Sequence, residues 1–241
     1  NMLFIVQDPY TSYYDAKVVR DFVALTQKLD FEPILLPFKP NGKAMHIKGF
    51  LTRFSKTAKT QAEFLNRVAK LNVPLVGVDP AIVLSYRDEY KEALGNSRGD
   101  FHVLTAHEWL TNQLESNALQ SAVKNIAKSD HTFEWHLFPH CTESTFMPNS
   151  PKEWQHIFAQ FGQTLKVEKV GCCGMAGVFG HEVQNQTMSK DIYDVSWGKK
   201  LQGKDSNHCL ATGYSCRSQV KRYEKAILKH PVQALLEVLN H

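Results

Sequence analysis

The sequence predicts an α/β protein made of two similar parallel βαβ lobes that are related by a pseudo-twofold axis. Three observations predict this fold class. Short apolar runs alternate with amphipathic helical segments, the same order of elements occurs twice, and corresponding strand ends lie about 133 residues apart. We therefore expect a duplicated unit in which each copy forms its own small parallel sheet.

The first copy is expected within residues 1–95. Its short apolar runs are bounded by proline, glycine or asparagine and predict strands at 3–6, 33–37 and 73–78. Its apolar residues at helical spacing predict helices at 15–29 and 47–71. Because strands and helices alternate, the strands should run parallel.

The second copy is expected within residues 132–241. Comparable apolar runs predict strands at 133–138, 165–170 and 208–212. Helices are predicted at 151–161, directly after Gly174, at 217–228 and at 231–239. The intervening segment 96–131 has no counterpart strand in the other copy and is predicted to be a helical connector.

Composition and charge exclude several classes of function. The 241 residues carry a formal net charge of +4, and the basic residues are scattered rather than clustered, so no nucleic-acid partner is expected. No apolar run approaches the roughly 18 residues that cross a bilayer, so the chain should not span a membrane. Without a recognisable signal peptide, a cytoplasmic location is expected.

The cysteines are distributed unevenly and mark the candidate site. All five lie in the second half of the chain, and an odd count without a secretion signal argues against a disulfide framework. Cys141, Cys172, Cys173 and Cys216 each follow a predicted strand directly. Because the carboxyl ends of parallel strands meet at one edge of a sheet, we expect these four thiols to share a pocket.

Four thiols at one edge suit an iron–sulfur cluster or zinc. Adjacent side chains at 172 and 173 point apart, which favours a cluster with several irons over one tetrahedral ion. Gly174 would allow a sharp turn into a helix whose free N–H groups stabilise negative sulfur. A disulfide between the adjacent cysteines, or four inert buried thiols, remain alternatives.

Further side chains are weaker candidates. Cys209 lies on a predicted strand and is interpreted as a core residue, with metal ligation as the alternative. His181 and His140 could complete a metal shell or tune it, or could be ordinary surface histidines. Arg217 could offset thiolate charge. In the first copy, Asp8, Asn41 and Asp79 occupy the corresponding strand ends and are predicted to form a hydrogen-bonded polar plug.

The order of these cysteines resembles that of a known family. A cysteine (Cys141), then Cys172-Cys173-Gly174, then Cys216 after a similar gap, is similar to the signature of cysteine-rich CCG domains. Such domains occur in the catalytic subunit of heterodisulfide reductase, the C subunit of anaerobic glycerol-3-phosphate dehydrogenase and lactate-utilisation proteins. They usually contain two copies. Here the first copy has no cysteines, and Gly213 replaces the first cysteine of the final Cys-x-x-Cys, so a five-cysteine cluster is not implied.

A narrower resemblance covers most of the chain. The stretches at 6–19, 35–50, 76–90, 171–182 and 211–224 look like the C-terminal region of bacterial D-2-hydroxyacid dehydrogenases that contain FAD and iron–sulfur clusters. The resemblance implies oxidation of D-2-hydroxyglutarate or D-lactate, with FAD bound by another domain of the parent enzyme and not by this region. A four-ligand cluster, such as 4Fe–4S, would transfer electrons.

The same resemblance implies the partners. These are the FAD and ferredoxin-like domains of the parent chain and an electron acceptor. A homo-oligomer and peripheral attachment to the inner membrane are left open. This region alone should be inactive, and none of its residues is assigned to catalysis. The alternative function is a zinc-holding or metal-free scaffold that supports oligomerisation or acceptor docking.

Overall fold

The computed structural model describes residues 1–119, 123 and 133–240, and it confirms the α/β fold class. The first part of the chain contains four strands, β1 (Met2–Ile5), β2 (Glu32–Leu35), β3 (Leu75–Gly77) and β4 (Val103–Thr105). Its helices are α1 (Pro9–Tyr14), α2 (Ala16–Lys28), α3 (Lys43–Ile47), α4 (Leu51–Ala69), α5 (Pro80–Arg87), α6 (Glu89–Leu94) and α7 (Ala106–Glu115).

These strands form one parallel sheet in the order β2-β1-β3-β4. Met2 pairs with Glu32 across β1 and β2, and Phe4 pairs with Leu75 across β1 and β3. The central strand β1 is apolar because helices cover both faces of the sheet, as is usual for parallel sheets. The helix predicted at 15–29 is α2. Its apolar face points into the core, where Phe22 is fully buried.

The second part of the chain repeats this arrangement. Its strands are β5 (Glu134–Phe138), β6 (Thr164–Val167) and β7 (Cys209–Ala211). Its helices are α8 (Cys141–Phe146), α9 (Ser150–Gln160), α10 (Gln186–Tyr193), α11 (Lys199–Leu201), α12 (Tyr214–Glu224) and α13 (Pro231–Val238). In the described residues, the strands form a parallel sheet in the order β6-β5-β7.

The two sheets share a topology. The order β6-β5-β7 corresponds to β2-β1-β3, and the chain reaches the central strand first in both cases. The shared order supports the duplication read from the sequence. The pseudo-twofold relation concerns how the copies are arranged against each other and stays a prediction.

The chain divides into two compact units, Asn1–Trp109 and Leu110–His241. The predicted boundaries at 1–95, 96–131 and 132–241 stay predictions. The structure adds β4 to the segment that we expected to be a helical connector, and β4 pairs with β3. Three strand residues are too few to show a period in the sequence. Residues 120–122 and 124–131 of that connector lie outside the described residues.

The helix predicted directly after Gly174 is wrong. The chain instead forms a loop with 3₁₀ turns at Phe179–His181 and Val183–Asn185, and α10 begins only at Gln186. Gly174, Ala176 and Gly177 have φ values of +84°, +39° and +71°. Such values are incompatible with a right-handed helix, so the backbone must turn there.

Across the described ranges, no helix combines the length and the apolar character that are needed to cross a membrane.

Candidate metal centre

Three elements bring the four predicted cysteines to one edge of the second sheet. Cys141 begins α8 directly after β5, and Cys216 lies in the first turn of α12 after β7. The pair Cys172 and Cys173 lies in the loop that follows β6. Because β6-β5-β7 is parallel, the carboxyl ends of all three strands meet at this edge.

The four thiols form a continuous series. The thiols of Cys141 and Cys173 lower the pKa of Cys172, and the thiols of Cys172 and Cys216 raise the pKa of Cys173, so the side chains influence one another. Cys173 and Cys216 are buried, whereas Cys141 and Cys172 are half-buried. The series therefore runs from the protein surface into the core, and all five cysteines of the chain are free thiols.

The surroundings of Cys172 make its thiol the most acidic of the four. Bonds from Cys141 and Cys173 lower the pKa of Cys172 far below its usual value, and backbone N–H groups of Gly174 and Ala176 lower it further. The N–H of Gly174 lies 3.3 Å from the sulfur. Bonds to Cys172 raise the pKa of Cys141 and Cys173, with burial adding to the rise. The arrangement thus supports a thiolate at Cys172.

The backbone N–H groups that face the Cys172 sulfur come from a turn. The loop after Gly174 does not begin with the helix that the sequence predicted there. The chemistry predicted for that position is nevertheless provided. Successive N–H groups in a turn with positive φ form a concave site for negative charge, as a helix N-terminus does.

A second contact holds the start of this loop. The N–H of Gly171 donates to Ser196 Oγ at 2.7 Å, and the indole N–H of Trp197 donates to the Gly171 carbonyl at 3.1 Å. Both partners belong to a π-helical turn at Asp194–Gly198. Such turns often occur at functional sites because they redirect side chains out of the regular helix.

His140 lies beside the thiols, with both ring nitrogens in contact with polar groups. Its Nδ1 accepts the N–H of Thr142 at 3.2 Å and thereby caps α8, and its Nε2 lies 3.2 Å from Ser215 Oγ. Its backbone N–H donates to Thr212 Oγ1 at 2.9 Å. These contacts tie the end of β5 to the end of β7 and compete with a role for His140 as a metal ligand.

The other weaker candidates have different surroundings. His181 Nδ1 lies 3.1 Å from a guanidinium nitrogen of Arg222, and burial together with that cation lowers the pKa of His181. Cys209 is buried on β7 in the apolar core, and burial raises the pKa of its thiol to about 11. Arg217 donates to the carbonyls of Ala211 and Thr212 at the end of β7.

Some residues at the site were missed from the sequence. Gln219 donates to the carbonyl of Cys173, Ser189 donates to that of Gly174, and buried Glu143 accepts hydrogen bonds from Ser150 and Thr212. Gln219 follows Cys216 by three residues on one helix, and this spacing was a usable signal. The position of Ser189 carries no comparable signal.

The corresponding edge of the first unit is filled by polar side chains. Asp8 Oδ1 accepts the N–H groups of Tyr10 and Thr11 at 2.8 and 2.9 Å and so caps α1. The other two predicted residues act in the same way at the starts of α5 and α3. Asp79 accepts two N–H groups and Asn41 accepts one.

These three side chains are buried, as expected for a polar plug. Burial and the neighbouring Asp79 carboxylate raise the pKa of Asp8 to about 6. In the described residues this edge thus has carboxyl groups where the second unit has thiols.

The cysteines suit a metal group because of the kind of ligand atom that they provide. Four thiols at one sheet edge match the soft ligands of zinc and iron–sulfur clusters. Among the residues that the structure describes, however, no group of three or more histidine, cysteine, aspartate or glutamate side chains is placed so that it could hold a metal ion.

Fold and site together define an α/β protein with duplicated parallel sheets and a series of thiols at the edge of the second sheet. No family model matches the chain. Three longer proteins named D-2-hydroxyglutarate dehydrogenase are similar to it.

The relative from Haemophilus influenzae is 81% identical over 240 residues, and the match covers 100% of this chain and 23% of that protein. The relative from Escherichia coli K12 is 58% identical over 238 residues, covering 99% of this chain and 23% of the relative. The relative from Pseudomonas putida is 40% identical over 235 residues, and the match covers 98% of this chain and 22% of the relative. The chain therefore spans less than a quarter of the length of these relatives.

Proposed function

We propose that the chain is the C-terminal electron-transfer and structural region of an FAD- and iron–sulfur-dependent D-2-hydroxyacid dehydrogenase that oxidises D-2-hydroxyglutarate or D-lactate. The single observation that carries the proposal is the series of four thiols at one sheet edge, in a chain that is 81% identical to a protein named D-2-hydroxyglutarate dehydrogenase. The CCG assignment supports it through the resemblance of the cysteine order.

Cys141, Cys172, Cys173 and Cys216 would hold an iron–sulfur cluster in this proposal. When bound, such a cluster accepts and releases single electrons. The residues of the chain supply its surroundings. N–H groups of the loop favour the deprotonated form of Cys172, and Phe138 and Trp197 lie in the apolar core that borders Cys173 and Cys216 and limits the access of water.

The chemistry of the substrate belongs elsewhere in this proposal. Hydride removal from a hydroxy acid requires the flavin, which would be bound by another domain of the longer enzyme. The partners are therefore the FAD and ferredoxin-like domains of the parent chain and an electron acceptor. Free thiols of this kind persist in a reducing compartment, so a cytoplasmic location is part of the proposal.

The adjacent cysteines Cys172 and Cys173 favour a cluster over a single ion, because neighbouring side chains point apart. One zinc ion needs four ligands around a single centre, whereas a cluster with several irons places its ligand positions apart. The second candidate function is nevertheless a zinc-holding or metal-free scaffold for oligomerisation or acceptor docking. The absence of a preformed group of three ligands in the described residues favours the metal-free form of this candidate.

Anaerobic reconstitution separates the two functions. The purified chain would be incubated with iron and sulfide, desalted, and analysed for both elements and for visible absorption. Bound iron and sulfide, with absorption that bleaches on reduction, support electron transfer. A colourless protein that retains zinc or no metal at all supports the scaffold and contradicts the cluster.

A further inference from the structure

Two buried side chains hold the backbone of Cys173 and Gly174. Gln219 Nε2 donates to the carbonyl of Cys173 at 3.0 Å and lies 2.8 Å from Ser189 Oγ, to which it also donates. Ser189 Oγ donates in turn to the carbonyl of Gly174 at 2.8 Å. Both side chains are fully buried, with an exposed fraction of 0%. Two successive carbonyls of the loop are thus fixed by one connected pair of groups.

The contacts connect this loop to two helices. Ser189 lies on α10, and Gln219 lies on α12, the helix that also carries Cys216. A Cβ built on Gly174 would overlap the carbonyl oxygen of Ser189, so the α10 backbone packs directly against the turn. Gln219 therefore sets the distance between the Cys173 backbone and the helix that carries Cys216.

The chemistry of Gln219 argues for more than packing. Its Oε1 is buried and has no hydrogen-bond partner among the described residues. An unpaired buried acceptor is destabilising, and an apolar side chain of similar volume would avoid that cost. A carboxamide at this position is explained by the two hydrogen bonds that its amino group makes.

We infer that Ser189 and Gln219 are positioning residues that fix the Cys173 thiol relative to the Cys216 thiol, so that both can bind one metal group. This inference rests on the proposed function and adds two residues to its site. Neither side chain is expected to bind the metal. They act through the carbonyls of Cys173 and Gly174.

The test uses two variants. Gln219→Met removes both hydrogen bonds of the Gln219 side chain and keeps a side chain of similar volume. Ser189→Ala is milder and removes the hydroxyl that donates to the Gly174 carbonyl. Gln155→Met is the control for loss of a carboxamide–carbonyl bond, because Gln155, an exposed residue, donates to the carbonyl of Leu165 at 3.0 Å, near the end of β6 that is opposite to the cysteine loop. Two properties would be measured on the chain of 241 residues. They are the alkylation rate of Cys173 in metal-free protein and the affinity and thiolate-to-metal absorption of added cobalt(II).

In Gln219→Met we expect Cys173 to be alkylated faster than in the wild type. We also expect cobalt(II) to bind about 10- to 100-fold more weakly and its thiolate-to-metal absorption to change. Ser189→Ala should change in the same direction, and the double variant should lose little more than Gln219→Met, because the groups act as one unit. Gln155→Met should match the wild type in both measurements. Thermal melts establish that each variant is folded at the temperature used.

The inference is overturned if Gln219→Met and Ser189→Ala both keep the wild-type alkylation rate and cobalt spectrum. It is also overturned if Gln155→Met changes as much as they do, since the effect would then be general destabilisation. If the wild-type chain itself binds neither cobalt nor a cluster, the proposed function fails. The alkylation rates then decide alone whether the two residues position Cys173.

Discussion

The ring of His140 occupies the space that a side chain at Gly213 would need. A Cβ built on Gly213 would overlap Cδ2 of the imidazole and lie 2.9 Å from its Cγ. The ring is held there by Thr142 and Ser215 through its two nitrogens. The glycine that stands where the CCG signature has a cysteine is therefore required by the packing of His140.

A cysteine at position 213 should consequently destabilise the chain. We expect Gly213→Cys to lower the free energy of unfolding by about 1 to 3 kcal/mol, because the new side chain overfills the space beside His140. Chemical denaturation of the metal-free chain measures this loss. Combining Gly213→Cys with His140→Ala should cost less than the sum of the two single changes, and strict additivity would show that the ring is not the obstacle.

The turn at Gly174 should tolerate no side chain. We expect Gly174→Ala to destabilise the chain by about 1 to 2 kcal/mol for a positive φ and about 1 to 3 kcal/mol for overlap with the Ser189 carbonyl. Gly162→Ala is the matched control, because Gly162 has a φ of +68° and no described heavy atom within 4 Å of the added Cβ. Equal losses in the two variants would contradict the overlap.

If this chain is part of a longer flavin-containing enzyme, as proposed, loss of one thiol should separate substrate oxidation from electron transfer to the acceptor. We expect Cys173→Ser in the full-length enzyme that the proposed function assigns to this chain to reduce turnover with an electron acceptor at least about tenfold while flavin reduction by substrate stays unchanged. Stopped-flow absorbance and steady-state assays measure the two quantities. Cys209→Ala, which alters a core thiol, is the control and should leave both rates intact. Full turnover of the Cys173 variant with unchanged metal content would refute the electron-transfer role.

The polar plug of the first unit should make stability depend on pH. The pKa of Asp8 is raised to about 6 by burial and by Asp79, so the folded state binds a proton that the unfolded chain releases near pH 4. This contribution to stability is fully present below about pH 4 and is lost as the pH rises through about 6, amounting to roughly 3 kcal/mol.

Urea unfolding from pH 4 to 7 tests this dependence by comparing wild type with Asp8→Asn. The difference between their free energies of unfolding should shift steadily in favour of Asp8→Asn as the pH rises. Asp79→Asn should weaken the dependence, because it removes the second cause of the raised pKa of Asp8. A difference that is constant over this range would show that Asp8 titrates normally.

The sequence was informative where local pattern determines structure. The strand ends at Asp8 and Cys141 were found because short apolar runs stop there, and parallel topology then predicted that the four thiols would meet. The predicted helix after Gly174 failed because positive φ at Ala176, a non-glycine residue, leaves no mark in the sequence. The spacing of Gln219 from Cys216 could have placed it near the site, but its contact with Cys173 spans 46 residues and depends on tertiary packing.

X-ray absorption at the iron and zinc edges tests the central claim most directly, using protein purified without oxygen. It identifies the bound metal and counts its sulfur neighbours in wild type, Cys216→Ala and Cys209→Ala. The account predicts iron in sulfur coordination that is retained in Cys209→Ala and lost or depleted of sulfur in Cys216→Ala. Metal without sulfur neighbours, or the same coordination in all three proteins, would contradict it.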